Sequence, residues 1–172
     1  MHDFGLNQTT GVLGNLVNSG TIYGISTSNQ VKTAVFQASN IQNLTGALLT
    51  TILPEGGLPG FSNALTKLNL SLVAIHNILN TGVISSSGNL RITASNLANQ
   101  GTIFSSGNAD LSVVGQLQNL AGAQLIAQQA LNINTPALIN SGLISALSGA
   151  LSITSAGVLS ILNRSGAIEA LA

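Results

Sequence analysis

The phrase ILNTGVISSSGNLRIT, at 78–93, recurs in degenerate form along most of the chain. That recurrence constrains the fold more than any other feature. An aliphatic-x-Asn triplet ends at Asn80, Asn99, Asn119, Asn140 and Asn163, in steps of 19, 20, 21 and 23 residues. A glycine and then an aliphatic residue follow each one: Gly82 and Ile84, Gly101 and Ile103, Gly122 and Leu125, Gly142 and Ile144, Gly166 and Ile168. The second half of the phrase repeats as well, as Leu90-x-Ile92, Leu111-x-Val113, Leu131-x-Ile133 and Leu151-x-Ile153. Upstream the pattern is looser. It is nearly complete around Asn18, acceptable around Asn43, and reduced at Asn63 to an asparagine without its glycine.

Each unit holds short segments of period-2 alternation separated by Gly, Ser and Asn, which is strand chemistry. A unit of about 20 residues buries too little apolar surface to fold alone, but stacked units share one continuous core. The expected fold is all-β: a parallel β-solenoid of about 20 residues per coil, with one loop excursion. Leu, Ile and Val should face inward, and Ser, Thr and Asn outward. Glycine should supply left-handed corners at Gly82, Gly101, Gly122, Gly142 and Gly166. Asn18, Asn43, Asn80, Asn99, Asn119, Asn140 and Asn163 should form a ladder from coil to coil, at corners where asparagine tolerates left-handed backbone. Charged residues are only 5% of the chain, far below the roughly 25% of ordinary soluble domains. Stacking explains this, because like charges directly above one another repel.

The whole of 1–172 reads as one solenoid domain: looser coils at 1–46, an irregular coil at 47–76, and regular repeats at 77–172. The irregular part contains LPEGGLPG (53–60), where Pro54 and Pro59 cannot donate to a ladder. It reads as an excursion from the solenoid, either an ordinary insertion or a binding loop.

Composition excludes several partners and locations. The formal net charge is zero, so nucleic-acid binding has no electrostatic footprint. There are no cysteines and hence no disulfides or thiolate metal sites. The longest strictly apolar run is Leu72-Val73-Ala74-Ile75, against the roughly 20 residues a spanning helix needs. One Tyr and four Phe cannot supply the aromatic girdles of a transmembrane barrel. The opening MHDFGLNQTTG lacks the basic and apolar regions of a signal peptide.

The chemistry-bearing residues are scattered. The acids are Asp3, Glu55, Asp110 and Glu169, and no two fall on equivalent positions of neighbouring repeats. A glycosidase needs two carboxylates facing one bond, and no pair can be nominated. His76 has no accompanying His-Glu motif. Lys32, Lys67, Arg91 and Arg164 are isolated, and Arg91, between Leu90 and Ile92, should point outward. The expectation is therefore a non-enzyme with no catalytic, cofactor-binding or metal-binding residues and no cofactor.

The segments NTGVI (80–84), GNLRIT (88–93), NQGTI (99–103), NSGLI (140–144) and NSGTI (18–22) resemble the haemagglutinin repeat of filamentous-haemagglutinin-type exoproteins. These are the large adhesins and contact-dependent toxin-delivery proteins of bacterial two-partner secretion systems. The resemblance is best over 78–154 and poor over 24–77. It implies a right-handed parallel β-helix within a secreted or cell-surface fibre. It also implies a host or neighbouring-cell receptor or glycan as partner, and an outer-membrane transporter if the chain belongs to a longer exoprotein. The family's amino-terminal secretion domain and carboxy-terminal toxin domain are not visible. The function expected is a structural and adhesive repeat module. The alternatives are a self-assembling solenoid that associates end to end and, further off, a polysaccharide-active enzyme on a β-helix.

Overall fold

The computed structural model describes residues 13–171. Its described residues form twenty strands, β1–β20 in chain order, and no helix. The strands fall into three parallel sheets. The first sheet stacks β1 (Leu16–Asn18), β4 (Ile41–Asn43), β7 (Asn77–Asn80), β10 (Asn96–Asn99), β13 (Gln116–Asn119), β16 (Ala137–Asn140) and β19 (Ser160–Asn163). The second stacks β2 (Thr21–Tyr23), β5 (Leu48–Thr50), β8 (Val83–Ser86), β11 (Thr102–Ser105), β14 (Gln124–Ala127), β17 (Leu143–Ala146) and β20 (Ala167–Ala170). The third stacks β3 (Thr33–Ala38), β6 (Asn69–Ala74), β9 (Leu90–Ala94), β12 (Ala109–Val113), β15 (Leu131–Asn134) and β18 (Leu151–Thr154). Consecutive strands in the chain go to different sheets, and every pairing joins one coil to the next. The molecule is a parallel β-solenoid of about seven turns.

The register follows the repeat. Ile78 lies under Leu97, Leu97 under Leu117, and Leu117 under Leu138. In the second sheet Leu49, Ile84, Ile103, Leu125 and Ile144 form one column. The third sheet sends in two columns, Leu70-Leu90-Ala109-Leu131 and Leu72-Ile92-Leu111-Ile133. All these residues are buried. A fully buried Leu or Ile contributes about 1.5–3 kcal/mol by leaving water, so each coil adds several such increments. Because neighbours along a column are aliphatic from β6 onward, the core grows by addition, and the one aromatic that joins these columns is Phe36, stacked on Leu72 in the first coil and partly buried.

Three features differ from the expectation. First, polar residues also face inward. The ladder asparagines share the parity of the core residues, with Asn80 two positions after Ile78. Ser86 and Ser105 likewise follow Ile84 and Ile103, and all three of these polar and apolar pairs are buried. Second, the ladder asparagines lack left-handed backbone, since Ser165 is the one described non-glycine residue with positive φ. They end strands, and the turn follows them. Third, the excursion is narrower than 47–76. β5 and β6 lie in regular register, and the irregular chain is confined to 51–68. Asn63 lies exposed in that loop and makes no ladder contact.

Candidate functional site

The buried asparagine ladder is the most regular polar structure in the molecule. Asn18 Nδ2 donates to Asn43 Oδ1 and Asn43 to Asn80, each at 2.8 Å. Asn80 donates to Asn99 and Asn99 to Asn119, also at 2.8 Å. Asn119 to Asn140 and Asn140 to Asn163 follow at 2.9 Å. The bonded residues are 25, 37, 19, 20, 21 and 23 positions apart in sequence, yet each bond spans one coil. The second amide hydrogen goes to a carbonyl of the next coil: Val83, Thr102, Gln124, Leu143 and Ala167 for Asn43 through Asn140. Buried polar groups without partners are costly. Here every rung is satisfied, and no buried side-chain polar atom among the described residues lacks a partner.

The corner glycines divide into two kinds, which corrects the expectation of left-handed backbone at all five. Among them Gly122 alone has φ near +78°, the same value as Gly46. These two sit in the longer turns at 44–47 and 120–123, where Ala47 N–H bonds Leu44 O and Ala123 N–H bonds Leu120 O. That is a turn with glycine third, the position that requires positive φ. Gly82, Gly101, Gly142 and Gly166 have ordinary φ, and a Cβ there would strike the coil beneath. It would meet Leu44 O and Ala47 O under Gly82, Gly82 O under Gly101, Leu120 O and Ala123 O under Gly142, and Asn140 Nδ2 under Gly166. Close approach between coils, rather than backbone conformation, demands glycine at these four. In the last turn the positive φ falls on Ser165.

Two further asparagine rows escaped the sequence reading. Asn40 Nδ2 donates to Asn15 Oδ1, Asn77 Nδ2 to Asn40 Oδ1, and Asn96 Nδ2 to Asn77 Oδ1, at 2.9–3.2 Å along an exposed corner. The signal was present: each of these residues stands three before a ladder asparagine, as Asn-x-x-Asn. At another corner the side chains of Asn69, Asn89 and Asn108 accept from the backbone N–H of Asn89, Asn108 and Ala130.

The 51–68 excursion is built from turns. Gly57 N–H bonds Pro54 O, Phe61 N–H bonds Leu58 O, and Ala64 N–H bonds Phe61 O, at 2.9–3.0 Å. Gly56 and Gly60 take the left-handed third positions of the first two turns, and Pro59 pre-sets the second position of the second. The base is fastened to the shaft. Thr51 Oγ1 donates to Leu68 O and accepts from Ser87 N–H, and Leu65 N–H bonds Ser26 O. The loop encloses an open cleft of about 760 Å³, lined among others by Ile52, Leu53, Pro54, Leu58 and Phe61.

The ionisable groups stay dispersed. Arg91 and Asp110 are register neighbours on the outer face of the third sheet, and Asn132 Nδ2 donates to Asp110 Oδ1 at 2.8 Å. Glu169 lies on the second sheet and accepts from Ser145 Oγ. Glu55 is in the loop and His76 is exposed at a corner. Asp3 and His2 fall outside the described residues. Among the described residues no three His, Cys, Asp or Glu side chains are grouped to hold a metal, and no helix is long and apolar enough to cross a membrane.

The fold and ladder define a parallel β-solenoid with an internal asparagine ladder. No family model, curated protein or solved structure matches the chain.

Proposed function

We propose that the chain is a structural and adhesive module: a rigid, non-catalytic shaft segment of a secreted or cell-surface filamentous adhesin. The observation that carries this reading is the ladder running without a break from Asn18 to Asn163. It makes the shaft one hydrogen-bonded rod, from which the fastened 51–68 loop projects as the longest excursion among the described residues. Rigid scaffolds that display one loop are a common way to present a contact surface. The repeat phrases that resemble the haemagglutinin repeat support the same reading. The partner is then a receptor or glycan on a host or neighbouring cell, engaged through the apolar cleft of the 51–68 loop. A two-partner outer-membrane transporter is the export partner if the chain belongs to a longer exoprotein.

The test is adhesion of beads coated with the 172-residue chain to a panel of bacterial and epithelial cells and to a glycan array. A variant lacking 53–66, with Thr51 and Leu68 retained, runs in parallel. Binding by the full chain, reduced at least tenfold in the variant while its far-UV spectrum stays β, supports the reading. No binding to any surface contradicts the adhesive role, and undiminished binding by the variant contradicts the assignment to the loop.

A further inference from the structure

We infer that the outer face of the first sheet is an interface on which a second copy of this chain packs, sheet against sheet, so that two shafts lie side by side. The inference stands apart from the adhesive reading, which concerns the 51–68 loop. It rests on the face that the first-sheet strands from β4 to β19 present to solvent.

That face is uncharged and carries aliphatic side chains in register. No strand of the first sheet holds an Asp, Glu, Lys, Arg or His. The other two sheets do, with Arg91 and Asp110 on the third and Glu169 on the second. Outward positions of the first sheet stack as Gln42, Leu79, Ala98, Gln118, Ile139 and Leu162, so aliphatic rungs outnumber the two amides. The connections that lead from the third sheet into this one add Ile75, Val114 and Val158, which are 49%, 74% and 88% exposed. His76 and Arg164 sit in bends at the borders of the face, not on its strands. Contiguous exposed apolar surface of this kind marks an interaction site.

The amides along the edge of the face point to its occupant. Asn77 Nδ2 donates to Asn40 Oδ1, Asn96 Nδ2 to Asn77 Oδ1, and Gln116 N–H to Asn96 Oδ1. Each oxygen of that row is already bonded within the sheet, so taking the row out of water strands no acceptor. A sugar chain or a charged peptide is held through free acceptors or charge, which this face does not offer. A second uncharged sheet needs only matched spacing, and another copy repeats its rungs at the same strand spacing of about 4.8 Å. The six strands from β4 to β19 span about 29 Å at that spacing, and the chain from Ile75 to Asn80 spans about 20 Å at about 3.3 Å per residue. Packing the face on its twin therefore covers about 1,200 Å² over both copies, which reaches the range of specific interfaces. An isologous contact of this kind closes on two copies.

The experiment is sedimentation velocity on the full chain over rising concentration, beside two variants first checked for a β far-UV spectrum. Ala98→Lys puts a charge in the middle of the inferred interface, at an outward position that leaves the core columns untouched. Leu79→Lys takes its place if that variant does not fold. Ser112→Lys puts the same charge at an outward position of the third sheet. The expected result is a monomer–dimer equilibrium for the full chain, kept by Ser112→Lys. The first-sheet variant should raise the dissociation constant by about tenfold or more, because it buries an unpaired charge in the contact. A full chain that is monomeric at every concentration, association that grows past two copies, a dimer that the first-sheet variant leaves intact, or one that Ser112→Lys also abolishes would each overturn the inference. The readout is mass, so a failure of cell adhesion does not bear on it.

Discussion

Replacing Asn99 by alanine removes the middle of the buried ladder, and the structure sets the size of the effect. Asn99 accepts from Asn80 Nδ2, donates to Asn119 Oδ1 and donates to Gln124 O, all at 2.8–2.9 Å. Alanine leaves one hydrogen of Asn80, the oxygen of Asn119 and the carbonyl of Gln124 without those partners. At about 1–3 kcal/mol for each of these three buried polar groups, the loss is about 3–9 kcal/mol. A water entering the vacated space would bring it toward the lower end. Asn163→Ala provides the control. Asn163 is exposed, and Asn140 Nδ2 keeps Gly142 O and Ala167 O as acceptors when it goes. Its expected cost is about 1 kcal/mol or less, since the one part-buried bond lost strands no group without another partner or water. The assay is urea unfolding followed by far-UV circular dichroism. Equal losses for the two variants would refute the argument that the ladder stabilises through buried satisfaction. Asn99→Asp extends the test. Burial raises the introduced carboxyl above its unfolded pKa of about 3.9. Its charge therefore costs stability as pH rises through the folded value, and the variant should recover toward acid pH.

The corner glycines provide a second contrast within one sequence motif. Gly101→Ala would drive a Cβ into Gly82 O, whereas nothing lies within 4 Å of a Cβ at Gly20. The first should cost about 2–3 kcal/mol or more, as overpacking against backbone does, and the second close to nothing, as read by urea midpoints. Gly46→Ala meets open space but keeps φ near +78°, so its cost should be about 1–2 kcal/mol. Removal of 53–66 should leave the unfolding free energy within about 1 kcal/mol, because loop length enters closure entropy only logarithmically. Thr51→Ala should cost more than that deletion, since Thr51 Oγ1 is buried between Leu68 O and Ser87 N–H.

How much was legible in the sequence follows from what repeats. The aliphatic columns and the asparagine positions recur at every coil, so spacing alone located strands such as β7, β10, β13 and β16. The direction of the ladder asparagines was harder to read. Alternation assigns asparagine to the solvent side, and only the mutual satisfaction of stacked amides makes the inward position favourable. Glycine had two possible reasons at a corner, and sequence does not distinguish a left-handed φ at Gly122 from a crowding coil at Gly101. The turn length does: the longer turns at 44–47 and 120–123 carry the left-handed glycine. The outer Asn40-Asn77-Asn96 row is marked in sequence only by the Asn-x-x-Asn spacing to the ladder, which does not recur at Asn119, Asn140 or Asn163. The 51–68 loop follows no period, so its turns were readable from Pro and Gly but its attachment through Thr51 was not.

Distance along the molecule is set by coil count, not by residue count. Spin labels at Val17 and Gln118 mark the outer face of the first sheet four coils apart, across the loop-bearing coil. Labels at Leu79 and Leu162 are also four coils apart, on the far side of the loop. With strands about 4.8 Å apart, both pairs should give about 19 Å by pulsed electron-spin resonance. Equal distances near that value are the predicted result, and a longer distance for the pair that encloses the loop would contradict the solenoid register.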